Sequence, residues 1–201
     1  MSLTTLTDPA AEPVTTAEAK THLRVTGSDE DTYIAGLVGA SRLYCESLTG
    51  QVFIERTMLW TLDEFPSSSE TALILPTAPV QQIDSIVYTG NDGMESTWDS
   101  SLYILLTDRI FPRLLPAYGE SWPSDVRDIA GAVKINFTGG FEPGDSSPPD
   151  YAENVPEAIK HAMKLVIGHL YEHRMEASRD VLQKMPLAAE HLLSPYKIMG
   201  F

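Results

Sequence analysis

The chain has 201 residues, 43% of them hydrophobic, enough to bury a substantial core in one domain or in two small lobes. Lys and Arg number 14 against 28 Asp and Glu, a formal net charge of −14, which argues against a protein that grips nucleic acid through its phosphates. The single cysteine, Cys45, cannot form an internal disulfide, no apolar run reaches the roughly 18 residues of a membrane span, and Met1 to Asp8 lacks a signal-peptide pattern, so a cytoplasmic setting without a membrane partner is expected.

Thr15 followed by Glu18 has capping-box spacing and predicts a short helix from about Thr16 to Leu23, ending before Thr26-Gly27. Ser28 and Asp31 repeat the spacing. Behind them Ile34, Leu37, Val38, Ser41, Cys45 and Leu48 advance in steps of three and four, which predicts an amphipathic helix from Asp29 to Leu48, stopping at Thr49-Gly50.

From Gln51 onward β-branched and aromatic residues take over. Strands are expected over Val52 to Leu62, Ala72 to Leu75, Val80 to Tyr88 and Met94 to Trp98, with Asn91-Asp92-Gly93 as turn chemistry between the last two. Further strands are expected at Tyr103 to Leu106, Ile110 to Leu114 and Ala132 to Phe137, the whole reading as an antiparallel meander.

Residues 143–154 are dense in Pro, Gly and acidic groups and read as an exposed linker. Pro156 suits a first helical turn, and Ile159, Ala162, Met163, Val166, Ile167 and Leu170 trace one helix face. A less regular helix is expected over Arg179 to Leu193, broken or kinked at Pro186, before an irregular tail from Pro195 to Phe201.

The order of elements predicts an α+β fold. Residues 1–50 and 151–201 would form a helical domain, 51–142 an inserted antiparallel β lobe, and 143–154 the linker.

His169-Leu170-Tyr171-Glu172-His173 matches the H-x-x-E-H pattern of inverted zinc peptidases, since histidines four apart on a helix point the same way and Glu172 could serve as base for a bound water. A third ligand has no evident source, and the two histidines border an apolar face where ordinary boundary histidines are common. The chain has no Gly-rich phosphate loop and no G-x-S-x-G elbow. Asp29, Glu30 and Asp31 are explained by compensation of a helix N-terminus. Trp60, Trp98 and Trp122 fit core or interface anchors better than a sugar platform, which leaves a tail or baseplate module binding a host carbohydrate as an alternative. No catalytic residue, metal or cofactor is expected, and the chain does not read as an enzyme.

Asp8-Pro9, Thr16-Ala17-Glu18-Ala19-Lys20, Leu23-Arg24, Asp29-Glu30-Asp31 and Glu46 with Thr49-Gly50 together carry a recognisable opening pattern. Leu75-Pro76-Thr77-Ala78-Pro79-Val80 with Tyr88 and Gly93, then Val155-Pro156, Ile159, Ala162 and Tyr171 with Arg174, and finally Leu192-Leu193-Ser194-Pro195-Tyr196 continue it in order. In these residues the chain resembles the head-tail connector (adaptor, head-completion) family of tailed bacteriophages, and departs from it in the long acidic stretch from Glu142 to Asn154.

The resemblance implies a structural virion protein of the particle neck, assembled in the host bacterial cytoplasm. It implies a homo-oligomeric ring, usually of twelve subunits, below the portal, joining capsid to tail. The implied partners are the portal protein, neighbouring copies, the next neck or tail-completion protein, and DNA that passes through the lumen without specific binding. An acidic lumen would repel the phosphate backbone, which would give the net charge a role. The apolar tail residues Pro195, Tyr196, Ile198, Met199 and Phe201 have no periodic partner in their own segment and are the expected portal-docking tail.

Overall fold

The computed structural model describes residues 1–68, 70–107, 111–173 and 186–198, and the chain divides into two units. Residues 10–54 and 142–201 make a helical unit, and residues 1–9 and 55–141 a β unit.

The helical unit contains α1 (Thr16–Leu23), α2 (Asp31–Thr49), α3 (Glu157–Glu172) and α4 (Leu187–Leu193). The expected capping box opens α1: Thr15 Oγ1 accepts the Glu18 N–H at 3.2 Å, and the Glu18 carboxylate accepts the Thr15 N–H at 2.8 Å. The helix closes at Arg24, in the left-handed region with φ 58, ahead of Thr26-Gly27. The second capping box does not form. The Asp31 N–H donates to the Ser28 carbonyl at 3.2 Å, Glu30 is the N-cap, and the Glu30 carboxylate accepts the Tyr171 hydroxyl. The helix therefore begins at Asp31 and not at Asp29.

Ile34, Val38, Ser41 and Cys45 of α2 are buried, as are Ile159, Ala162, Met163, Val166 and Ile167 of α3, and these two helices pack against each other. The Ile, Val and Met side chains among them contribute about 1.5–3 kcal/mol each when fully buried. Ala189 and Leu193 of α4 complete the core, with Pro186 as the N-cap of that helix. The helical piece expected over 179–185 lies outside the described residues.

The β unit contains β1 (Ser2–Thr5), β2 (Arg56–Leu62), β3 (Leu73–Ile74), β4 (Val80–Thr89), β5 (Glu95–Trp98), β6 (Tyr103–Leu106), β7 (Arg113–Pro116) and β8 (Val133–Gly139). They form two antiparallel sheets, one in the order β1-β2-β8-β4-β5 and one in the order β3-β7-β6. With helices and antiparallel strands segregated along the chain, the fold is α+β.

The sheets are not the expected meander. β8, the last strand in sequence, lies between β2 and β4, where its fully buried row Val133, Ile135 and Phe137 has Leu62, Trp60 and Met58 beside it on one flank and Tyr88, Ile86 and Ile83 on the other. Met58, Trp60 and Leu62 give β2 the matching alternation. The turn from β4 to β5 follows its sequence chemistry, with Gly93 at φ 84 and Asp92 Oδ1 accepting the Met94 N–H at 2.9 Å.

Three stretches group differently from the sequence expectation, the first being residues 51–54, which belong with the helical unit. Residues 1–9 join the β unit, because β1 pairs with β2 in the register Leu3↔Trp60. Residues 142–154 group with the helices and are tied by local bonds: the Gly144 N–H donates to the Asp150 carbonyl at 2.8 Å, and Asn154 Nδ2 to the Glu142 carbonyl at 3.1 Å. Among the described residues no helix is long and apolar enough to cross a membrane.

Candidate functional site

The tail singled out in the sequence meets the C-terminal end of α2. The last carbonyls of a helix lack intrahelical donors. Here Gly50, at φ 71, gives its N–H to Glu46 O at 2.8 Å, and Thr49 O accepts the N–H of Ile198 at 2.7 Å. The Ile198 side chain lies over Gly50, where a Cβ would stand 3.4 Å from Ile198 Cβ. Thr49 Oγ1 donates to Cys45 O at 2.8 Å and accepts the Gln51 N–H at 3.2 Å, so this helix end is closed by side chain, turn and tail together. Pro195 and Tyr196 form the short 3-10 turn Ser194–Tyr196 leading to it, while Met199 and Phe201 lie outside the described residues. Ile198 thus has a partner about 150 positions earlier, which no periodicity within its own segment could reveal.

A polar network supports the same helix. Arg42 places Nε 2.7 Å and Nη2 3.2 Å from the two carboxylate oxygens of Glu12, and Nη1 3.2 Å from Glu46 Oε2. Glu46 Oε1 in turn accepts the Phe53 N–H at 2.9 Å, anchoring the chain where it leaves the helix. Arg42 and Glu46 are buried, at 7% and 8% exposure, so the network satisfies charges that would otherwise be costly inside. Burial, with a smaller effect of Glu46, pushes the neighbouring Cys45 thiol up to about 12, so it stays protonated.

Lys20 to Asp31 at 2.5 Å ties α1 to α2, and Lys164 to Glu18 at 3.3 Å ties α3 to α1. Several residues of the family-like pattern, among them Glu18, Lys20, Glu30, Asp31, Glu46, Thr49 and Tyr171, are the ones making these connections. Their roles are structural.

His169 and His173 do come together, with ring centroids 4.5 Å apart. However, α3 ends at Glu172, and His173 Nδ1 lies 2.8 Å from the carbonyl oxygen of His169, a hydrogen bond that a protonated Nδ1 donates. Among the described residues no group of three or more His, Cys, Asp or Glu is placed to hold a metal ion.

In the β unit Phe65 stacks on Trp122 with centroids 5.3 Å apart at 18°, and Trp98 contacts both Trp122 and Tyr103 at 5.3 Å. Trp122 Nε1 donates to Thr71 O at 3.2 Å. Trp60, Trp98 and Trp122 are at most 6% exposed, so their ring faces serve each other and the core, whereas a sugar platform needs an open face. A cavity of about 370 Å³ lies beside the cluster, lined in part by Glu64, Ser67 and Pro123.

No protein-family model and no curated protein matches this sequence. Solved structures do match in fold. A chain of the neck of an empty GTA (gene transfer agent) particle, computed with C6 symmetry, superposes with a TM-score of 0.79 at 24% identity, covering 100% of this chain and 97% of that one. A chain of the virion of the native gene transfer agent particle gives 0.77, and one from the neck of the native particle, computed with C12 symmetry, gives 0.71, with the same identity and coverage. This likeness establishes a shared fold along the whole chain.

Proposed function

We propose that the chain is a structural neck protein of a phage-like particle, a head-tail connector subunit that forms a ring below the portal, joins capsid to tail and lets DNA pass. The observation that carries this reading is the full-length likeness to chains from particle necks and virions, over 100% of this sequence and 97% of theirs. The order of family-like motifs along the sequence supports it independently. The C6 and C12 symmetries of those necks support a ring of repeated copies, with twelve as the expected number. The role is mechanical and needs no catalytic residue. With a net charge of −14, acidic groups lining the ring would keep DNA from sticking as it passes.

The closing segment is the expected portal contact. Pro195, Tyr196 and Ile198, with Met199 and Phe201, would bind the portal, from a segment whose Ile198 N–H is held by Thr49 O. The deciding experiment mixes the purified protein with portal rings of the same particle and measures mass by light scattering and particle images. A ring seated on the portal supports the reading; a chain that stays monomeric at all concentrations and ignores the portal overturns it.

A further inference from the structure

A ring built from one kind of subunit needs two different complementary surfaces on each copy, because its contacts are head-to-tail. The β unit carries two strand edges suited to that task. β1 ends the five-stranded sheet and β6 ends the three-stranded one, with no strand among the described residues beyond either. Both are four residues long, and neither has a buried residue. Stretches 1–7 and 100–107, which contain them, have no charged side chain in a chain of net charge −14. Met1, Leu3, Leu6 and Ile104 are 90%, 43%, 51% and 46% exposed.

Exposed strand edges are ordinarily protected by charge, proline, shortness or cover, because their unpaired N–H and C=O groups recruit another strand. The other two edges follow that rule. β5 carries Glu95, paired with Lys134 at 2.7 Å, and β3 has two residues.

The hydrogen-bond parity identifies the free groups. The Leu6 N–H donates to Thr57 O at 2.9 Å, in line with the β1-β2 register, so Thr4 and Ser2 bond inward while Leu3 and Thr5 point their N–H and C=O outward. The Ala117 N–H donates to Leu102 O at 2.8 Å, which by the same alternation turns Tyr103 and Leu105 outward on β6.

We infer that β1 of one copy adds to the β6 edge of the next, so that strand addition in the β unit closes the ring. This rests on the connector reading and names its subunit contact. The occupant is a second copy because the two unprotected edges match in length and lack of charge and sit on the same chain, as a head-to-tail contact requires.

Hydrogen exchange of the full-length protein, dispersed and as portal-seated rings, tests the contact directly. Segments 1–7 and 101–107 are expected to exchange quickly when dispersed and at least tenfold more slowly in the ring. Leu3→Pro and Leu105→Pro each delete one outward N–H and leave the inward ladder in place, and edge strands tolerate proline. Both variants are expected to keep the parent circular dichroism and to lose ring formation. Rings whose two segments exchange as fast as in the dispersed protein overturn the strand-addition contact while leaving the connector reading standing. Failure of the unmodified protein to form any ring overturns the connector reading, and this contact with it. Should a proline variant unfold, the exchange measurement on the unmodified chain still decides.

Discussion

Arg42 grips Glu12, 30 residues earlier in the chain, through two guanidinium nitrogens at 2.7 and 3.2 Å, and uses a third to hold Glu46. This bidentate pair fastens the segment before α1 to the middle of α2, and Glu46 passes the connection on to Phe53.

Removing Arg42 takes a guanidinium away from the buried Glu46 carboxylate, which keeps its bond from the Phe53 N–H. Arg42→Ala is expected to destabilise the helical unit by about 3–5 kcal/mol, the usual cost of breaking a buried ion pair from one side. Adding Glu46→Gln to it should recover part of the loss. Urea unfolding followed by circular dichroism measures both.

Cys45 is fully buried, and its thiol is pushed up to about 12 from an ordinary 9.0. A thiol-reactive dye at pH 8 is expected to leave the native protein unlabelled and to label one site per chain once urea unfolds it. Because the unfolded thiol ionises first, the stability from this group is present below pH 9 and declines as pH rises through the folded value. Rapid native labelling would contradict the burial.

The seal at the end of α2 predicts two modest losses. Truncation after Lys197 removes the donor to Thr49 O and is expected to cost about 0.5–1.5 kcal/mol. Gly50→Ala forces a side chain into the left-handed region and is expected to cost about 1–2 kcal/mol, with the new Cβ also against Ile198. Thermal melts of both variants check this, and the truncation is expected to lose portal binding as well if the tail docks there.

His22 is held below its ordinary 6.5 by partial burial, then by His161 and Lys164. The unfolded chain therefore takes up this proton first as pH falls. The contribution is present above about pH 6.5 and lost as pH drops through the folded value. A small decline in melting temperature between pH 7 and 5.5 is expected, reduced in His22→Gln, and an identical decline in the variant would contradict it.

The sequence by itself determined what depends on near neighbours. The Thr15–Glu18 box, the stripe from Ile34 to Cys45, the Ile159 to Ile167 face, the Asn91-Asp92-Gly93 turn and strand β6 all stand where the residues place them, because caps, turns and periodic apolar faces are decided within a few positions. The resemblance motifs likewise led to a fold that chains of gene transfer agent necks share. Only the tertiary structure decided that β1 pairs with β2, that β8 inserts between β2 and β4, that Glu30 meets Tyr171 and that Ile198 seals Thr49. Each of these joins backbone or polar groups far apart in the chain. Backbone groups are chemically alike at every position and a polar side chain has many chemically suitable partners, so the choice of partner follows from how the whole chain folds and not from the residues beside them.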